Sequence, residues 1–150
     1  IKEAPLPPRV AVRYVRDVAL AIHHAHQRGV LHRDLKPANV LIDLEDQVRV
    51  TDFGLAKQVD SDSSVTGSGA AIGTPSYMAP EQASGNSDRA CARSDIYSLG
   101  AILFAAIAGR PPFQNQSSVQ TLLQVVHDTP PSLRSFCPNV HEDIATIVAK

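Results

Sequence analysis

The chain has little cysteine, no excess of charge of either sign and no long apolar run. Its 150 residues contain 14 lysines and arginines against 15 aspartates and glutamates, which gives a net charge of −1. Because a nucleic-acid interface needs a basic excess to neutralise phosphates, this balance argues against nucleic acid as the main partner. The two cysteines, Cys91 and Cys137, lack the close spacing of metal ligands, which favours a reduced, cytoplasmic setting.

The longest apolar run covers residues 96–108 and is interrupted by Tyr97, Ser98 and Gly100. This run of about 13 residues is shorter than the roughly 20 that span a bilayer, so we expect a buried core helix and no membrane segment. No secretory signal is recognisable. The chain starts at Ile1 without a methionine and stops inside an apolar-periodic segment, so we expect a piece of a longer protein.

Hydrophobic spacing predicts a mostly α-helical domain with one small hairpin. Apolar residues three and four apart predict an amphipathic helix over residues 9–27, ended by Gly29. Two β-prone runs, residues 40–42 and 48–51, flank a polar turn and predict the hairpin. Further segments are predicted as follows: helices over 94–108 and 117–128, a last helix from about Asn139, where Asn139 and Glu142 have capping-box spacing, and a non-helical, proline-punctuated stretch over 73–81.

Residues 32–39, His-Arg-Asp-Leu-Lys-Pro-Ala-Asn, concentrate the polar chemistry of the chain. Asp34 and Lys36 supply a carboxylate and a cation, and the following proline disfavours helix, so we expect a loop. The predicted hairpin starts directly after Asn39 and ends directly before Asp52, so it brings these two side chains together. Two oxygen ligands beside a base and a cation suit metal-assisted chemistry on a phosphate.

Four motifs together resemble the signature set of protein kinases. They are the loop at 32–39, Asp-Phe-Gly at 52–54, Ala-Pro-Glu at 79–81 and Asp-Ile-Tyr-Ser-Leu-Gly at 95–100. Each is weak alone, but their order and separation make the chain similar to the C-terminal lobe of a eukaryotic-type (Hanks-type) Ser/Thr protein kinase, of the kind that many bacteria carry. The resemblance implies a protein-kinase-like fold over residues 1–150. This lobe fragment would start before the catalytic-loop helix and stop before the last helices, with the N-lobe outside the chain.

The resemblance implies a role for each polar residue of the site. Asp34 corresponds to the catalytic carboxylate that orients the substrate hydroxyl and accepts its proton, and Lys36 to the lysine that neutralises the γ-phosphate. Asn39 and Asp52 correspond to ligands of Mg²⁺, which accompanies ATP. Leu41 matches the residue beneath the adenine ring, with plain strand core as the alternative.

The resemblance also implies substrate class and regulation. Lys36 is typical of Ser/Thr rather than tyrosine kinases. Residues 73–77, Gly-Thr-Pro-Ser-Tyr, which lead into Ala-Pro-Glu, resemble the segment that docks the substrate in Ser/Thr kinases. Thr74 would bridge Lys36 to the catalytic carboxylate.

Arg33 marks the class that is controlled by phosphorylation of the activation loop, here the long loop from Asp52 to Glu81. We expect a phosphate on this loop, first of all on Thr66, to pair with Arg33 and Lys57. A flexible serine-rich tether is the alternative for this loop.

Five further residues resemble structural positions of the family. His32 and Phe53 match members of a hydrophobic spine, and His26 matches a histidine between helices. Asp95 matches a buried anchor that holds the backbone of the catalytic loop. Glu81 matches a glutamate whose arginine partner the family places beyond residue 150.

The family's glycine-rich phosphate loop, its strand lysine and its helix glutamate do not appear in the 150 residues, so we expect negligible activity from the isolated chain. The leading function is a Ser/Thr protein kinase acting on protein substrates with ATP. The first alternative is a pseudokinase or scaffold, against which the intact Asp34, Lys36, Asn39 and Asp52 argue. The second is a small-molecule phosphotransferase, a class without the Ala-Pro-Glu segment and the long loop.

Overall fold

The computed structural model describes residues 5–53, 75–85 and 91–149. Within these ranges the chain is mostly helical with one antiparallel pair of strands, as the hydrophobic spacing predicts. In chain order the elements are α1 (Pro8–His26), β1 (Val40–Ile42), β2 (Val48–Val50), α2 (Pro80–Ala83), α3 (Ala92–Ala108), α4 (Ser118–His127) and α5 (Glu142–Val148), with single 3₁₀ turns at Pro37–Asn39, Pro75–Tyr77 and Leu133–Ser135.

The core lies between α1 and α3. Helix α1 starts with Pro8 at its first turn, where the missing N–H costs nothing, and Gly29 at φ 73° follows its end. The helix therefore agrees with the predicted range of 9–27 to within a residue. It turns one stripe toward α3, and the residues on that stripe are spaced three and four apart: Ala11, Val15, Val18 and Ile22.

Helix α3 is buried along most of its length, as its apolar run predicts, although Ile96 near its start is 60% exposed. Ile102 and Phe104 are each 1% exposed, and Gly109, at φ 74°, ends the helix in the left-handed conformation that favours glycine. The helix starts at Ala92, two residues earlier than expected. In the described part of the chain, no helix combines the length and apolar character needed to cross a membrane.

The predicted hairpin is confirmed, with Val40 opposite Val50 and Ile42 opposite Val48. The Asp43 carboxylate closes its turn by accepting the backbone N–H groups of two turn residues, Glu45 and Gln47.

The hairpin turn is tied to the first helix through Asp46. Its carboxylate accepts a hydrogen bond from the Tyr14 hydroxyl and a 2.6 Å ion-paired hydrogen bond from Arg13 on α1. The Tyr14 bond is the main reason why the pKa of Asp46 is lowered from its ordinary value. A residue exposed at the tip of the hairpin thus attaches the hairpin to α1.

Three local predictions need correction. The loop that we expected at 32–39 ends in a 3₁₀ turn, which Pro37 starts without needing its missing N–H. The stretch at 73–81, expected to be non-helical, contains a 3₁₀ turn at Pro75–Tyr77 and the start of α2 at Pro80, because proline fits the first turn of a helix; only Met78 and Ala79 among its described residues are non-helical. Asn139 does not cap α5. The N-cap is His141, whose Nδ1 accepts from the Asp143 N–H at 3.3 Å.

Candidate active site

The loop that follows α1 is held from below by a buried carboxylate on α3. Asp95 is 1% exposed. Its Oδ2 accepts the backbone N–H of His32 at 2.9 Å and its Oδ1 that of Arg33 at 2.8 Å. The Nε2 atom of His26, at the end of α1, lies 2.7 Å from Oδ2. Three polar partners offset the cost of burying this charge, so Asp95 joins α1, α3 and the loop.

His32 connects the loop to the segment after β2. The imidazole is completely buried, and its Nε2 lies 3.0 Å from the Thr51 carbonyl oxygen. The ring also packs against Phe53, with centroids 4.8 Å apart and planes tilted by 47°. The two residues expected in a hydrophobic spine are therefore in contact.

Asp34 and Lys36 form an ion pair on the open side of the loop. Lys36 Nζ lies 2.7 Å from Asp34 Oδ2, and the side chains are 24% and 42% exposed, respectively. Lys36 has extended backbone angles, φ −155° and ψ 163°, and Leu35 between the pair is buried in the core. Alternation of side chains along extended backbone explains why residues 34 and 36 share one side.

The hairpin brings Asn39 next to the segment that carries Asp52. The Thr51 N–H donates to the Asn39 carbonyl at 3.0 Å, so Asp52 follows directly after the last cross-strand bond. Asn39 is 5% exposed, and its amide nitrogen donates to the Asp34 carbonyl at 2.9 Å. That bond uses the nitrogen and leaves the side-chain oxygen for a cation.

The donor set fits Mg²⁺, which takes hard oxygen ligands, usually one or two from side chains with the rest from phosphates and water. Asn39 and the exposed Asp52 supply such a pair. Among the described residues there is no group of three or more histidine, cysteine, aspartate or glutamate side chains that could hold a metal ion alone. A cation bound here would therefore need ligands from a phosphate.

Leu41 lies on the first strand with 52% of its surface exposed. In the described structure the side chain does not pack into the interior, which argues against the alternative interpretation, plain strand core. The exposed leucine leaves an apolar surface beside the Asn39 end of the hairpin.

Residues 75–83 pack against both the loop and α3. The Tyr77 carbonyl accepts the Ser98 hydroxyl at 2.8 Å, and burial raises the pKa of the Tyr77 phenol. Glu81 accepts a hydrogen bond from the Ser94 hydroxyl near the start of α3, so its carboxylate has a local partner.

Gln82 is a contact residue that sequence reasoning missed. It is 8% exposed, and its amide nitrogen donates to the Arg33 carbonyl at 2.8 Å. Proline at the start of α2 could have indicated the helix, but no local pattern points to a partner 49 residues away. Three of the predicted site residues, Lys57, Thr66 and Thr74, lie outside the described residues.

A sizeable cavity lies away from this loop. It has a volume of about 750 Å³, and residues of α3 and α5, among them Phe104 and Ile147, line it with Cys91. A much smaller space of about 10 Å³ separates the loop at 33–36 from Tyr77, Gln82 and Ser98. The polar groups that can do chemistry therefore sit on an open face and not in a closed pocket.

The loop carries an Asp–Lys pair, the hairpin is flanked by the oxygen-bearing side chains of Asn39 and Asp52, and a buried aspartate lies beneath the loop. This arrangement agrees with the family that the sequence comparison identifies. The model of the protein kinase domain family matches residues 1–146, and the chain belongs to this family.

Two of the similar proteins are bacterial kinases. The chain is 41% identical over 150 residues to the serine/threonine-protein kinase PknB of Mycobacterium leprae, an alignment that covers 99% of the chain and 24% of that protein. It is 38% identical over 146 residues to the serine/threonine-protein kinase PrkC of Bacillus subtilis, with 97% and 22% covered. The chain thus spans about a quarter of the length of these relatives.

Proposed function

We propose that the protein carrying this chain is a Ser/Thr protein kinase that transfers the γ-phosphate of ATP to hydroxyl groups of protein substrates. We further propose that residues 1–150 form part of the C-terminal lobe of its kinase domain. The observation that carries the proposal is the 2.7 Å pair of Asp34 and Lys36, on a loop whose Asn39 meets the Asp52 segment through the hairpin. The names of the relatives support the same activity.

Asp34 orients the substrate hydroxyl and accepts its proton. A carboxylate is sufficient because phosphoryl transfer depends more on positioning and charge stabilisation than on a strong base. Lys36 is held beside it at 2.7 Å and places a positive charge where the transferred phosphate carries negative charge. The half-exposed pair is open to a protein substrate arriving from solvent.

ATP and Mg²⁺ are the proposed cofactors. Asn39 and Asp52 would hold the cation through their side-chain oxygens, and the bound cation would neutralise charge on the phosphates. Leu41, exposed on β1, would cover one face of the adenine ring. The 150 residues include no glycine-rich phosphate loop, so we expect the chain by itself to have negligible activity. We assign the lobe to the cytoplasm, where ATP is available.

Arg33 supports a proposal about regulation. Its side chain is exposed, whereas its N–H and its carbonyl are both hydrogen-bonded. A guanidinium on such an anchored backbone suits a phosphate ligand. We propose that phosphorylated Thr66 pairs with Arg33 and Lys57 and orders the loop, and that Thr74 bridges Asp34 and Lys36.

Substitution of Asp34 in the full-length protein tests the function. Asp34→Asn should lower phosphate transfer to a generic Ser/Thr protein substrate by about 10²–10⁴-fold, the usual contribution of a general base, and leave ATP binding largely intact. Asp17→Asn, which removes a partly exposed carboxylate that pairs, among the described residues, with its neighbour Arg16, is the matched control. Unchanged turnover in Asp34→Asn would remove the assignment. A wild-type protein that binds ATP without transfer would identify a pseudokinase.

A further inference from the structure

Gln82 connects the segment at 75–83 to the loop that carries Asp34, and the proposed reaction requires these two parts of the chain to lie together. We propose that it is a positioning residue for Asp34, holding the peptide group before the catalytic carboxylate in place from the segment at 75–83. This inference rests on the proposed kinase function, and it adds a residue to which none of the signature motifs assigns a task.

The nitrogen and the oxygen of the Gln82 side-chain amide each form a hydrogen bond. The nitrogen donates to the Arg33 carbonyl at 2.8 Å, and the oxygen accepts the Ala79 N–H at 3.2 Å. In the reverse orientation the amide oxygen would face the Arg33 carbonyl oxygen and the amide nitrogen would face the Ala79 N–H. The two partners therefore determine the orientation of the amide. With 8% of the residue exposed, water competes little for either bond.

Gln82 stabilises a backbone conformation of Arg33 that the residue would not adopt by its own conformational preference. Arg33 has φ 66°, a left-handed conformation that a residue with a Cβ adopts only where surrounding contacts enforce it. Its N–H is held by Asp95 of α3 at 2.8 Å and its carbonyl by Gln82 of α2. Arg33 is therefore hydrogen-bonded through both its N–H and its carbonyl to helices that follow it much later in the chain.

The Arg33 carbonyl and the Asp34 N–H belong to one planar peptide group. Fixing the carbonyl fixes this plane, and the bond from Asn39 to the Asp34 carbonyl holds the next peptide group. Together the two bonds constrain the direction in which the Asp34 side chain leaves the backbone. The Asp34 side chain is 42% exposed and bonded to the mobile end of a lysine, so side-chain packing does little to place it. The backbone has to supply the position of its carboxylate.

The other end of the amide contacts the segment expected to dock the substrate. Ala79 follows the turn at Pro75–Tyr77, and Tyr77 is itself bonded to Ser98 on α3. The space between the loop and this segment is about 10 Å³, at the lower limit for a single water. A water therefore has little room to replace the amide. A change in the position of the docking segment is thus transmitted to Asp34 through Gln82.

Two substitutions in the full-length protein test the proposal. Gln82→Glu keeps size and the acceptor for Ala79 but removes the donor to Arg33, and Gln82→Leu removes both groups. Because a misplacement of about 1 Å can cost 10²-fold, we expect kcat for a peptide substrate to fall by about 10–100-fold in both, with the KM for ATP within twofold. Gln124→Leu is the matched control, since this buried amide lies on α4 and its oxygen has no partner in the described structure.

Amide hydrogen exchange supplies a readout that does not depend on kinase chemistry. In Gln82→Leu, exchange over residues 32–36 should become at least about fivefold faster, whereas α1 and α3 stay protected. A kcat within twofold of wild type would overturn the proposal. So would a loss accompanied by faster exchange throughout α1 and α3, which indicates general destabilisation. If the wild type transfers no phosphate, the kinase proposal fails, and exchange over 32–36 alone decides the role of Gln82.

Discussion

The carboxylate of Asp95 and the backbone N–H of Arg33 are 62 residues apart in the sequence and form a 2.8 Å hydrogen bond. The same carboxylate receives the N–H of His32 and lies 2.7 Å from His26. The position of the loop is therefore set by α3 as much as by the residues next to it in the chain. Since α3 is the most buried helix described, the loop rests on a rigid support.

Removal of the Asp95 carboxylate should release the loop. Asp95→Ala leaves two buried backbone donors without an acceptor, at a cost of about 1–3 kcal/mol for each unsatisfied group. We expect the amides of His32 and Arg33 to exchange about 5–150-fold faster, as measured by hydrogen exchange with mass spectrometry or NMR. Asp17→Ala, an exposed aspartate on α1, should leave both amides unchanged. Equal protection in Asp95→Ala would contradict the anchoring role.

The two exposed leucines of the hairpin should differ in their effect on ATP. Leu41 is on β1 and Leu44 is in the turn, and both are open to solvent. If Leu41 covers the adenine ring, Leu41→Ala removes part of an apolar contact worth about 1.5–3 kcal/mol and raises the KM for ATP about tenfold. Leu44→Ala should change it less than twofold. Titration of ATP at saturating peptide distinguishes them, and equal KM values would rule out the contact.

The attachment of the hairpin to α1 should depend on pH. The Tyr14 hydrogen bond, followed by Arg13, lowers the pKa of Asp46. A carboxyl group with a lowered folded-state pKa adds stability above its unfolded value of about 3.9, and this stability is lost as the pH falls through the folded value.

Asp46→Asn should therefore lower the urea midpoint at neutral pH, and the difference from wild type should shrink below about pH 4. Asparagine tolerates the φ of 60° at this position, so the change adds no backbone strain. Glu45→Gln, next to it in the same turn, is the control. A difference that stays constant with pH would show that the carboxylate charge is not involved.

Arg33 and Thr66 should act as a pair if the loop is controlled by phosphorylation. A phosphate–arginine hydrogen bond is worth about 1.5–3 kcal/mol, so Thr66→Ala should lower kcat about tenfold or more. In an Arg33→Gln background the same change should have little further effect. Arg16→Gln on α1 is the charge-matched control. Additive losses, or an unmodified loop in phosphopeptide mapping of the active protein, would contradict the pairing.

The larger elements were predictable because their signals are local. The stripe of α1 repeats over 19 residues, and the β-branched runs of the hairpin flank a polar turn. The start of α5 was not predictable in this way. Its cap is His141, which is not among the residues that usually cap helices. Helix α2, four residues long, is too short to show a period.

The contacts in the site also differ in whether a local signal in the sequence predicts them. The Asp34–Lys36 pair follows from alternation along two residues of extended chain. The bond from Gln82 to Arg33 depends on how α2 packs against the loop, which no spacing in the sequence records. The anchor at Asp95 was accessible only through the resemblance to a family, because its partners lie on another element.

Arg33, Asp46 and Asp52 have left-handed backbone conformations, which affect the stability of variants at these three positions. Each non-glycine residue in this conformation costs about 1–2 kcal/mol, somewhat less for aspartate, and glycine would avoid that cost. A search for thermostable variants should therefore select glycine at 33 and 52, where the variants should fold more stably and catalyse less well. At 46 glycine should not be selected, because it would remove the bonds that Asp46 accepts from Arg13 and Tyr14.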